Sequence, residues 1–593
     1  MSTPTRAERA NAYAPSEMPR VPVRADALAH DTVLRRFLAR AESTPDVAAL
    51  RALAAGGAAA DETITWSEWA SAAACVAAAL VSDGVRAGDR VAILAGNTPL
   101  WPIVDVGALL AGTIVVGLFP TCTAAQADAL LGDCGARVLL VDGAAQLAKV
   151  SPSDGRRIVS AATWDEWLDG GRRALADEAV AAEIARRARA AAPDDVAGLI
   201  YTSGSTGEPK GACVSHEYLL ASAESIADAL KLVAGDSSLS VLPYAHAAER
   251  VFGHYTRIVV GMEAGLVADA SRLWEAARTF RPTVFGGLPR LYERARDALL
   301  AARAAVPNEA RLRWDELLRV GVDRSRLRRA GAAVPADLER AWASLRDVAA
   351  APLASIFGDR MRLATSGGAP LAPDVAEALD AMGVTVLGAY GQTEHLCVAF
   401  HRPDDYDFDS VGRPMLGTEL RIAADGELLI GRGALTFAGY WGRPEATRDA
   451  FTDDGRWLRT GDLARIDERG RLAITGRKKE LLALSTGKKV APLPIEGRLA
   501  EHPRVAQAVV FGDGRKHVGA LLFLRDGAAA DDASLDAHVR EVNATLAPHE
   551  QVRRWRAVPG ELRESAGELT ATLKVKRAVV AARHADAVEA LFR

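Results

Sequence analysis

Tyr201-Thr-Ser-Gly-Ser-Thr-Gly-Glu-Pro-Lys-Gly211 is the most informative stretch of the sequence. The apolar run that leads into it, residues 198–202, predicts a buried strand that ends in a glycine-rich turn. Glycines let backbone amides turn inward around an anion, hydroxyl side chains add hydrogen-bond donors, and Lys210 adds a positive charge. The stretch therefore suits a polyphosphate, although its spacing is not that of a P-loop. Composition alone also fits a mobile surface loop, which the adjoining buried strand disfavours.

On both sides of this stretch, short β-branched runs alternate with Ala-rich amphipathic segments. The alternation predicts parallel sheets that are covered by helices on both faces. Strands are predicted at residues 91–95, 113–119, 136–142, 238–242, 264–268, 283–285, 362–365 and 384–387. Helices are predicted at residues 100–110, 124–131 and 177–192, and in a helical excursion from the sheet at residues 296–360.

The pattern changes after about residue 410, where strand pairs with short turns predict hairpins at 418–430 and 463–474. Past residue 476, predicted strands (504–512, 517–525) and helices (535–546, 577–592) form a compact α+β unit. The predicted fold class is α/β. A large N-terminal domain has helix-covered mixed or parallel sheets plus a β-subdomain, and a small mobile α+β domain follows it.

Composition limits the function classes. The 593 residues carry a net charge of −4, with 25% charged and 49% hydrophobic residues. These values are typical of a globular chain, and the near-neutral balance disfavours nucleic acid as a partner. Five scattered cysteines without CxxC spacing predict a reducing compartment, so we expect a cytoplasmic protein.

The sequence also bears on membranes. Residues 1–20 are too polar for a secretory signal. The longest uncharged apolar run, residues 106–119, is shorter than a membrane-spanning helix requires, and it predicts a buried helix followed by a buried strand. No membrane span is expected, while peripheral contact with a lipid surface stays open.

Five further segments follow in a fixed order: Ser-Gly-Gly-Ala-Pro-Leu at 366–371, Tyr-Gly-Gln-Thr-Glu at 390–394, Thr-Gly-Asp at 460–462, Gly-Arg-Lys-Lys-Glu at 476–480 and Thr-Leu-Lys-Val-Lys-Arg at 572–577. Together with residues 201–211, they resemble the signature segments of the adenylate-forming superfamily. That superfamily includes acyl-CoA synthetases, luciferases and the adenylation domains of peptide synthetases. Six motifs in register make the resemblance specific.

The resemblance implies a nucleotide site. Its ATP- and AMP-binding residues would be Thr202, Ser203, Gly204, Ser205, Thr206, Gly207, Lys210, Gly367, Gly368, Ala369, Tyr390, Gly391, Asp462 and Arg477. Tyr390 offers a flat face to adenine, Asp462 can accept hydrogen bonds from the ribose hydroxyls, and Thr393 offers a hydroxyl to the phosphate. Glu394 is a hard oxygen ligand suited to a Mg²⁺ ion that bridges ATP phosphates.

The C-terminal motifs imply catalysis and domain motion. Lys574 matches the lysine that contacts the carboxylate and the α-phosphate during adenylation, with Lys576 as the alternative two residues away. Lys479 lies at the position of the family's hinge residue. The resemblance therefore divides the chain into a domain of residues 1–476 and a mobile domain of residues 477–593. Gly487 and Lys488 would contact CoA.

Residues 242–250 and 285–293 resemble the long-chain fatty acyl-CoA synthetase branch. In that branch His246 lies beside the substrate carboxylate, and small residues at Gly286 and Gly287 leave room for an alkyl chain. One departure concerns residues 487–490, where Gly-Lys-Lys-Val replaces the usual Gly-Lys-Asn-Val. It lies in the loop that should form the thioester site. The motifs therefore support adenylation more strongly than they support CoA as the acyl acceptor.

The expected function is ATP-dependent activation of a carboxylic acid, a medium- or long-chain fatty acid, to acyl-AMP and then to acyl-CoA. ATP, Mg²⁺ and coenzyme A are the implied cofactors and substrates. One alternative is an acyl-AMP ligase that loads an acyl carrier protein. Another is a non-catalytic paralogue that binds ATP or lipid, which the retained Lys210, Glu394, Asp462, Arg477 and Lys574 disfavour.

Overall fold

The computed structural model describes residues 32–53, 61–152, 155–203, 209–525, 532–569 and 575–593. Its core contains two large sheets. Nine strands form the first sheet, in the spatial order Arg413–Pro414, His395–Phe400, Val386–Gln392, Leu363–Ser366, Val284–Gly287, Ser237–Ser240, Glu263–Leu266, Ala48–Ala52 and Glu62–Thr65. The six strands from Val386–Gln392 to Ala48–Ala52 are parallel, and the edge pairs are antiparallel.

Seven strands form the second sheet, in the order Gly439–Tyr440, Pro209–Ser215, Val196–Ser203, Ile114–Gly117, Arg90–Leu94, Val138–Val141 and Arg157–Ser160. The last five of these are parallel, and the first two join antiparallel. The strand pattern expected from β-branched runs is thus confirmed in both sheets. Parallel strands are commonly buried on both faces, which explains continuous apolar runs such as Ile114–Gly117 and Val138–Val141.

Helices cover the two sheets. They are Val33–Ser43, Trp66–Ser82, Leu100–Leu110, Ala124–Cys134, Ala144–Leu147, Trp164–Leu175, Glu178–Ala190, His216–Leu230, Thr256–Val260, Leu273–Phe280, Pro373–Ala381 and Pro444–Asp449. Local sequence explains where they begin. Thr65 and Glu68 form a reciprocal capping box at the start of Trp66–Ser82, and Thr123 and Gln126 form another before Ala124–Cys134.

The predicted helical excursion at residues 296–360 is confirmed as Pro289–Ala305, Asn308–Arg329, Ala336–Leu345 and Asp347–Phe357. The apolar run at residues 106–119 forms the end of a buried helix and the buried strand Ile114–Gly117, as predicted. Within the described ranges, no helix combines the length and the apolar character needed to cross a bilayer.

The remaining chain forms smaller units. The β-subdomain is an antiparallel sheet of Leu420–Ile422, Glu427–Gly431, Trp457–Ile466 and Leu472–Arg477. After the 3₁₀ turn Lys478–Glu480 come the hairpin Leu482–Ala483 with Lys489–Val490 and a three-stranded sheet of Val505–Phe511, Val518–Leu524 and Val552–Val558. Helices Pro492–Leu499 and Asp532–Ala544 pack with this sheet. The predicted class, a large α/β part followed by a smaller α+β part, is confirmed.

One predicted helix is wrong in extent. Residues 577–592 form two helices, Arg577–Arg583 and Ala585–Ala590, instead of one. The backbone at His584 leaves the helical region, with φ −110° and ψ 32°. Its imidazole packs edge-on against Phe523, with ring centroids 5.1 Å apart. This tertiary contact outweighs the helical propensity of the alanine-rich sequence.

A fully buried charge cluster lies where the second sheet meets its covering helices. The Arg250 guanidinium contacts the Asp105 carboxylate at 3.0 Å, and both side chains have 0% exposure. His254 and Tyr255 also contact that carboxylate, at 3.0 and 2.8 Å. Burial opposes ionisation of Asp105, but Arg250, His254 and Tyr255 together hold its pKa below the ordinary value.

Arg250 also joins two strands. It donates to the carbonyls of Val115 and Leu199. A Cβ on Gly198 would lie 2.7 Å from Arg250 Nη2, so the guanidinium occupies the space that a side chain there would fill. The strand Val196–Ser203, which leads into the glycine-rich stretch, is therefore fixed to its neighbour through a buried cation.

We predict that Asp105→Asn lowers the free energy of unfolding by about 3–5 kcal/mol, because it leaves the buried charge of Arg250 uncompensated. Urea unfolding followed by circular dichroism measures the change. Glu224→Gln, which breaks an exposed 2.6 Å ion pair with Arg36, is the matched control and should cost less than about 1 kcal/mol. Equal effects of the two substitutions would contradict the assigned importance of the buried pair.

Candidate active site

The two strands that flank the glycine-rich stretch pair with each other. Strands Val196–Ser203 and Pro209–Ser215 pair antiparallel, with Thr202 opposite Lys210 and Ser203 opposite Pro209. The Thr202 hydroxyl lies 3.5 Å from the Lys210 carbonyl. Gly204, Ser205, Thr206 and Gly207, which were predicted to bind phosphate, lie outside the described residues. The hairpin therefore places Thr202 and Lys210 at the two bases of the loop.

Lys210 faces an aromatic ring that links it to Glu394. Its ammonium lies 5.3 Å from the centroid of the Tyr440 ring, and the Tyr440 hydroxyl donates to Glu394 Oε1 at 2.5 Å. Burial, together with the nearby carboxylate, raises the pKa of Tyr440, so the phenol stays a neutral donor. Strand Gly439–Tyr440 pairs with Pro209–Ser215, which fixes the ring beside the lysine.

Residues 390–394, the end of the strand Val386–Gln392 and the turn that follows it, are called the turn at residues 390–394. Hydrogen bonds and close packing hold this turn in place. The hydroxyl of Tyr218 donates to the Thr393 carbonyl at 2.9 Å and accepts from the Leu396 amide at 3.3 Å. Tyr218 has 0% exposure. A Cβ on Gly391 would lie 1.7 Å from the Leu396 carbonyl oxygen, so only glycine fits at that position.

The neighbour of Glu394 carries no charge at neutral pH. Burial lowers the pKa of His395 to about 4. Its two ring nitrogens lie 3.3 and 3.0 Å from the hydroxyls of Thr436 and Thr418. Glu394 is therefore not neutralised by an adjacent imidazolium, and its carboxylate charge stays available to a cation.

A second cluster lies at the other end of the turn. The Tyr390 hydroxyl donates to Asp462 Oδ2 at 2.5 Å, and Arg477 Nε contacts Asp462 Oδ1 at 2.8 Å. Asp462 is only 2% exposed. Burial and the Asp462 charge raise the pKa of Tyr390 well above its ordinary range. Burial alone would lower the pKa of Arg477, but the charge of Asp462 raises it overall.

The segment that carries Asp462 is part of the strand Trp457–Ile466, and hydrogen bonds of Thr460 and Gly461 fix it. The Thr460 hydroxyl donates to the Leu428 carbonyl at 2.7 Å, and the Gly461 amide donates to Glu427 Oε1 at 3.0 Å. Gly461 has φ +70°, a left-handed conformation that favours glycine. Lys478 contacts the same Glu427 carboxylate at 2.9 Å. This lysine therefore helps to hold the segment that carries Asp462 in place.

Two glycine pairs lie at the carboxyl ends of adjacent parallel strands. Gly286 and Gly287 end the strand Val284–Gly287, while Gly367 and Gly368 follow Leu363–Ser366. A Cβ on Gly286 would lie 3.5 Å from Thr365 Oγ1 and 3.9 Å from the Phe252 ring. Ala369 follows Gly368, whose φ of +82° turns the chain at this edge. Ligands of open α/β sheets bind at such carboxyl ends.

His246 lies just before a π-helix, Ala248–Tyr255, an uncommon element that occurs often at functional sites. Its Nδ1 accepts from the Ala248 amide at 3.1 Å, and its ring is edge-on to Phe119 with centroids 6.4 Å apart. The histidine is half-buried. The same π-helix carries Arg250 of the buried charge cluster.

The remaining predicted site residues are in the C-terminal part of the chain. Lys574 lies outside the described residues, although a β-bridge between Leu569 and Val575 joins the segments on either side of it. Lys479, Gly487 and Lys488 are exposed. Within the described contacts, none of those made by Gly487 or Lys488 reaches the clusters around Glu394 and Asp462.

Comparison with known proteins identifies the family. The family described as AMP-binding enzyme matches residues 37–441, and its C-terminal domain matches residues 479–593. The chain belongs to the AMP-binding enzyme family. This confirms the predicted adenylate-forming superfamily.

Similar family members cover nearly the whole chain. The long-chain-fatty-acid–CoA ligase FadD15 of Mycobacterium bovis is 34% identical over 569 residues, which cover 89% of this chain and 92% of that protein. The anthranilate CoA ligase AuaEII in complex with anthranoyl-AMP has a TM-score of 0.71 at 21% identity, covering 97% and 99% of the two chains. A benzoate CoA ligase from Burkholderia xenovorans LB400 has a TM-score of 0.70 at 23% identity, covering 93% and 99%. These two structures show the same fold.

The residues present fit the Mg²⁺ that AMP-binding enzymes use with ATP. In the described part of the chain, no group of three or more His, Cys, Asp or Glu side chains is placed to hold a metal ion. Mg²⁺ is commonly held by one or two carboxylates plus substrate phosphates, without a cage of protein ligands. A single oriented carboxylate, Glu394, fits a metal ion that arrives with a triphosphate.

Sequence reasoning missed Tyr440 and Tyr218. Tyr440 lies in Gly439-Tyr-Trp-Gly442, an aromatic pair between two glycines, and this was the available signal. Tyr218 carries no such signal, because it is one of several apolar residues on the helix His216–Leu230. Both act through contacts with the 390–394 turn that only the fold brings together.

Tyr440→Phe keeps the ring that faces Lys210 and removes only the hydroxyl that orients Glu394. We predict that it raises the Mg²⁺ concentration required for half-maximal ATP binding by about tenfold, the range for loss of a group that orients a metal ligand. Titration calorimetry at varied Mg²⁺ measures this. Tyr406→Phe, which removes a buried tyrosine hydroxyl bonded to Asp380, is the control. The same shift in both variants would contradict the specific role of Tyr440.

Proposed function

We propose that this AMP-binding enzyme is an acid–thiol ligase that converts a medium- or long-chain fatty acid, ATP and coenzyme A to acyl-CoA, AMP and pyrophosphate. One observation carries the proposal. A single rigid turn, residues 390–394, joins the Tyr390–Asp462–Arg477 cluster to the Lys210–Tyr440–Glu394 cluster. One cluster suits a nucleoside and the other suits a polyphosphate, so a nucleoside triphosphate fits along the turn.

The nucleoside end would hold AMP and ATP. Asp462 accepts hydrogen bonds from ribose hydroxyls with the lone pairs that Tyr390 and Arg477 leave available, since a carboxylate offers about four acceptor sites. Tyr390 and Gly391 lie against adenine, with Gly367, Gly368 and Ala369 as its other wall. These assignments rest on the family resemblance and on the placement of both segments beside the same strand ends.

The phosphate end would carry the first chemical step. The substrate carboxylate attacks the α-phosphate, the bond to the β-phosphate breaks, and acyl-AMP and pyrophosphate form. Thr202, Ser203, Lys210 and Thr393 bind phosphate oxygens together with the loop residues Gly204, Ser205, Thr206 and Gly207. Glu394 would hold Mg²⁺, which would supply neutralisation of the phosphate charge. Lys574 stabilises the charge that builds on the transferring oxygens, which lowers the barrier because that charge is largest in the transition state.

The acyl end lies beside the same strand edge. His246 would orient the substrate carboxylate, and Gly286 and Gly287 would leave space for the alkyl chain. The space above Gly286 is bordered by Phe252, whose ring is apolar and suits a hydrocarbon chain. The FadD15 relatives are long-chain-fatty-acid–CoA ligases, which agrees with this substrate class.

We assign residues 1–476 to an adenylating domain and residues 477–593 to a mobile domain that pivots at Lys479. Beyond the hinge at Lys479, the described ion pairs between the segments include Arg525 to Asp297 at 3.5 Å and Arg290 to Glu561. Both would break in a rotation that withdraws Lys574 and brings Gly487 and Lys488 toward CoA. Such a rotation lets one cleft present two sets of groups in turn. We place the enzyme in the cytoplasm, which its five free, buried cysteines suit.

A pyrophosphate-release assay across fatty acids of increasing length tests the proposal. We expect release that depends on both acid and ATP, and acyl-CoA as the product when CoA is added. Product formation with a phosphopantetheine-loaded carrier protein instead of CoA would identify the alternative acceptor. Absence of release with every acid would overturn the ligase assignment.

Lys574→Ala separates the two half-reactions. We predict that it slows acyl-AMP formation by at least about 10²–10³-fold, the range for loss of one oriented donor to transition-state charge. Thioester formation from supplied acyl-AMP and CoA should persist, because the lysine is withdrawn in that step. Lys576→Ala is the matched control and should retain both half-reactions. Loss of both half-reactions, or of neither, in Lys574→Ala would show that the lysine is misassigned.

A further inference from the structure

A basic groove of about 580 Å³ lies in the C-terminal segment, away from the residues assigned to ATP and acid. Strand Val552–Val558 forms one wall, and it is an outer strand of the three-stranded sheet. Helix Asp532–Ala544 and the C-terminal turn at Ala590 and Leu591 form the others. Three of its arginines, Arg553, Arg554 and Arg556, are exposed, so the groove is accessible to a partner.

The groove follows the edge of the sheet rather than one face. Five consecutive strand residues, 552–556, line it, although successive residues of a strand point to opposite faces. Trp555 Nε1 donates toward Asp536 of the helix at 3.4 Å. Arg554 pairs with Gly519, where a Cβ would lie 2.9 Å from Leu591 on the other face. Only the edge of a strand borders both faces at once.

The outer edge of this strand is open. The Asn543 side chain closes the edge at Val552, because it accepts from the Val552 amide at 2.8 Å and donates to the Val552 carbonyl at 2.9 Å. In the described part of the chain, the backbone of residues 553–558 makes its hydrogen bonds only with Val518–Leu524. An unpaired strand edge is a template for addition of another strand.

The charge of the groove is strongly positive. Its lining includes four arginines, at 540, 553, 554 and 556, and one carboxylate, Asp536. Asp536 contacts Arg540 at 3.4 Å, and no described ion pair involves the other three arginines, all of which are exposed. Elsewhere, exposed arginines such as Arg281 form bidentate pairs with carboxylates. The groove is therefore a local cationic site on a chain of net charge −4.

We propose that this edge binds an extended segment of a protein partner, rich in Asp and Glu, which adds to the sheet as a fourth strand beside Val552–Val558. Main-chain hydrogen bonds to the open edge would supply affinity, and the arginines would select carboxylates, which they bind in bidentate geometry. Trp555 offers an apolar surface to an alternate side chain of the added strand. A flat bilayer does not match a concave groove, and a small anion would make no use of the open backbone edge.

The test uses the full-length chain and a labelled peptide of about eight residues with alternating Glu and Val, a length that matches the strand. Fluorescence anisotropy measures binding. We expect affinity to fall about tenfold or more when NaCl rises from about 50 to about 300 mM, because exposed charges are screened. A peptide with alternate amides N-methylated keeps its charges but cannot pair with the edge, and it should bind at least about tenfold more weakly.

Arg554→Glu with Arg556→Glu should abolish peptide binding, while Arg554→Gln with Arg556→Gln should weaken it. Arg326→Glu with Arg448→Glu makes the same charge change at two exposed arginines elsewhere and should bind as the parent chain does. Circular dichroism and thermal unfolding verify that each variant is folded.

Three results would overturn the proposal. Equal binding of the N-methylated peptide would show charge attraction without strand addition. Binding of inorganic phosphate or CoA that requires these arginines, without peptide binding, would show a small-anion site. Arginine-dependent binding of phosphatidylglycerol vesicles, without peptide binding, would show a lipid-facing surface. None of these results depends on the ligase assignment, which the pyrophosphate assay tests separately.

Discussion

The buried contact between Arg250 and Asp105 is the constraint on which the architecture depends. A charge without exposure must be compensated, and here one guanidinium serves a carboxylate and the carbonyls of two parallel strands. Through these contacts it fixes Val196–Ser203, which leads to the glycine-rich loop, to the π-helix that follows His246. Arg250 thus connects the phosphate side of the proposed site to its acyl side.

The residues of the proposed site come from chain segments that are far apart in sequence. The turn at residues 390–394 contacts Tyr440 of the second sheet through Glu394, and Asp462 of the β-subdomain through Tyr390. Each carboxylate in the two clusters is oriented by a tyrosine hydroxyl, from Tyr390 or Tyr440. Because a neutral phenol donates without adding charge, it fixes a carboxylate while leaving its negative charge intact.

Sequence patterns predicted the sheets, the helical excursion and the family because alternation and motif order are local signals. They did not predict the break at His584, where a contact with the distant Phe523 decides the backbone conformation. Tyr440 and Tyr218 were missed for the same reason, since their roles arise from strand pairing and helix packing. The roles of Lys574 and of residues 204–207 stay predictions that rest on the motifs.

Both oxygens of Asp462 have partners within the protein, one in Tyr390 and one in Arg477. These contacts restrict the rotamers of all three side chains, so a ribose bound as we propose would not have to order them. Immobilising a long side chain costs about 0.5–1.5 kcal/mol when it occurs on binding. In the proposed site, recognition of the sugar would thus begin from a preorganised surface, and the protein fold would already have met the entropic cost of ordering it.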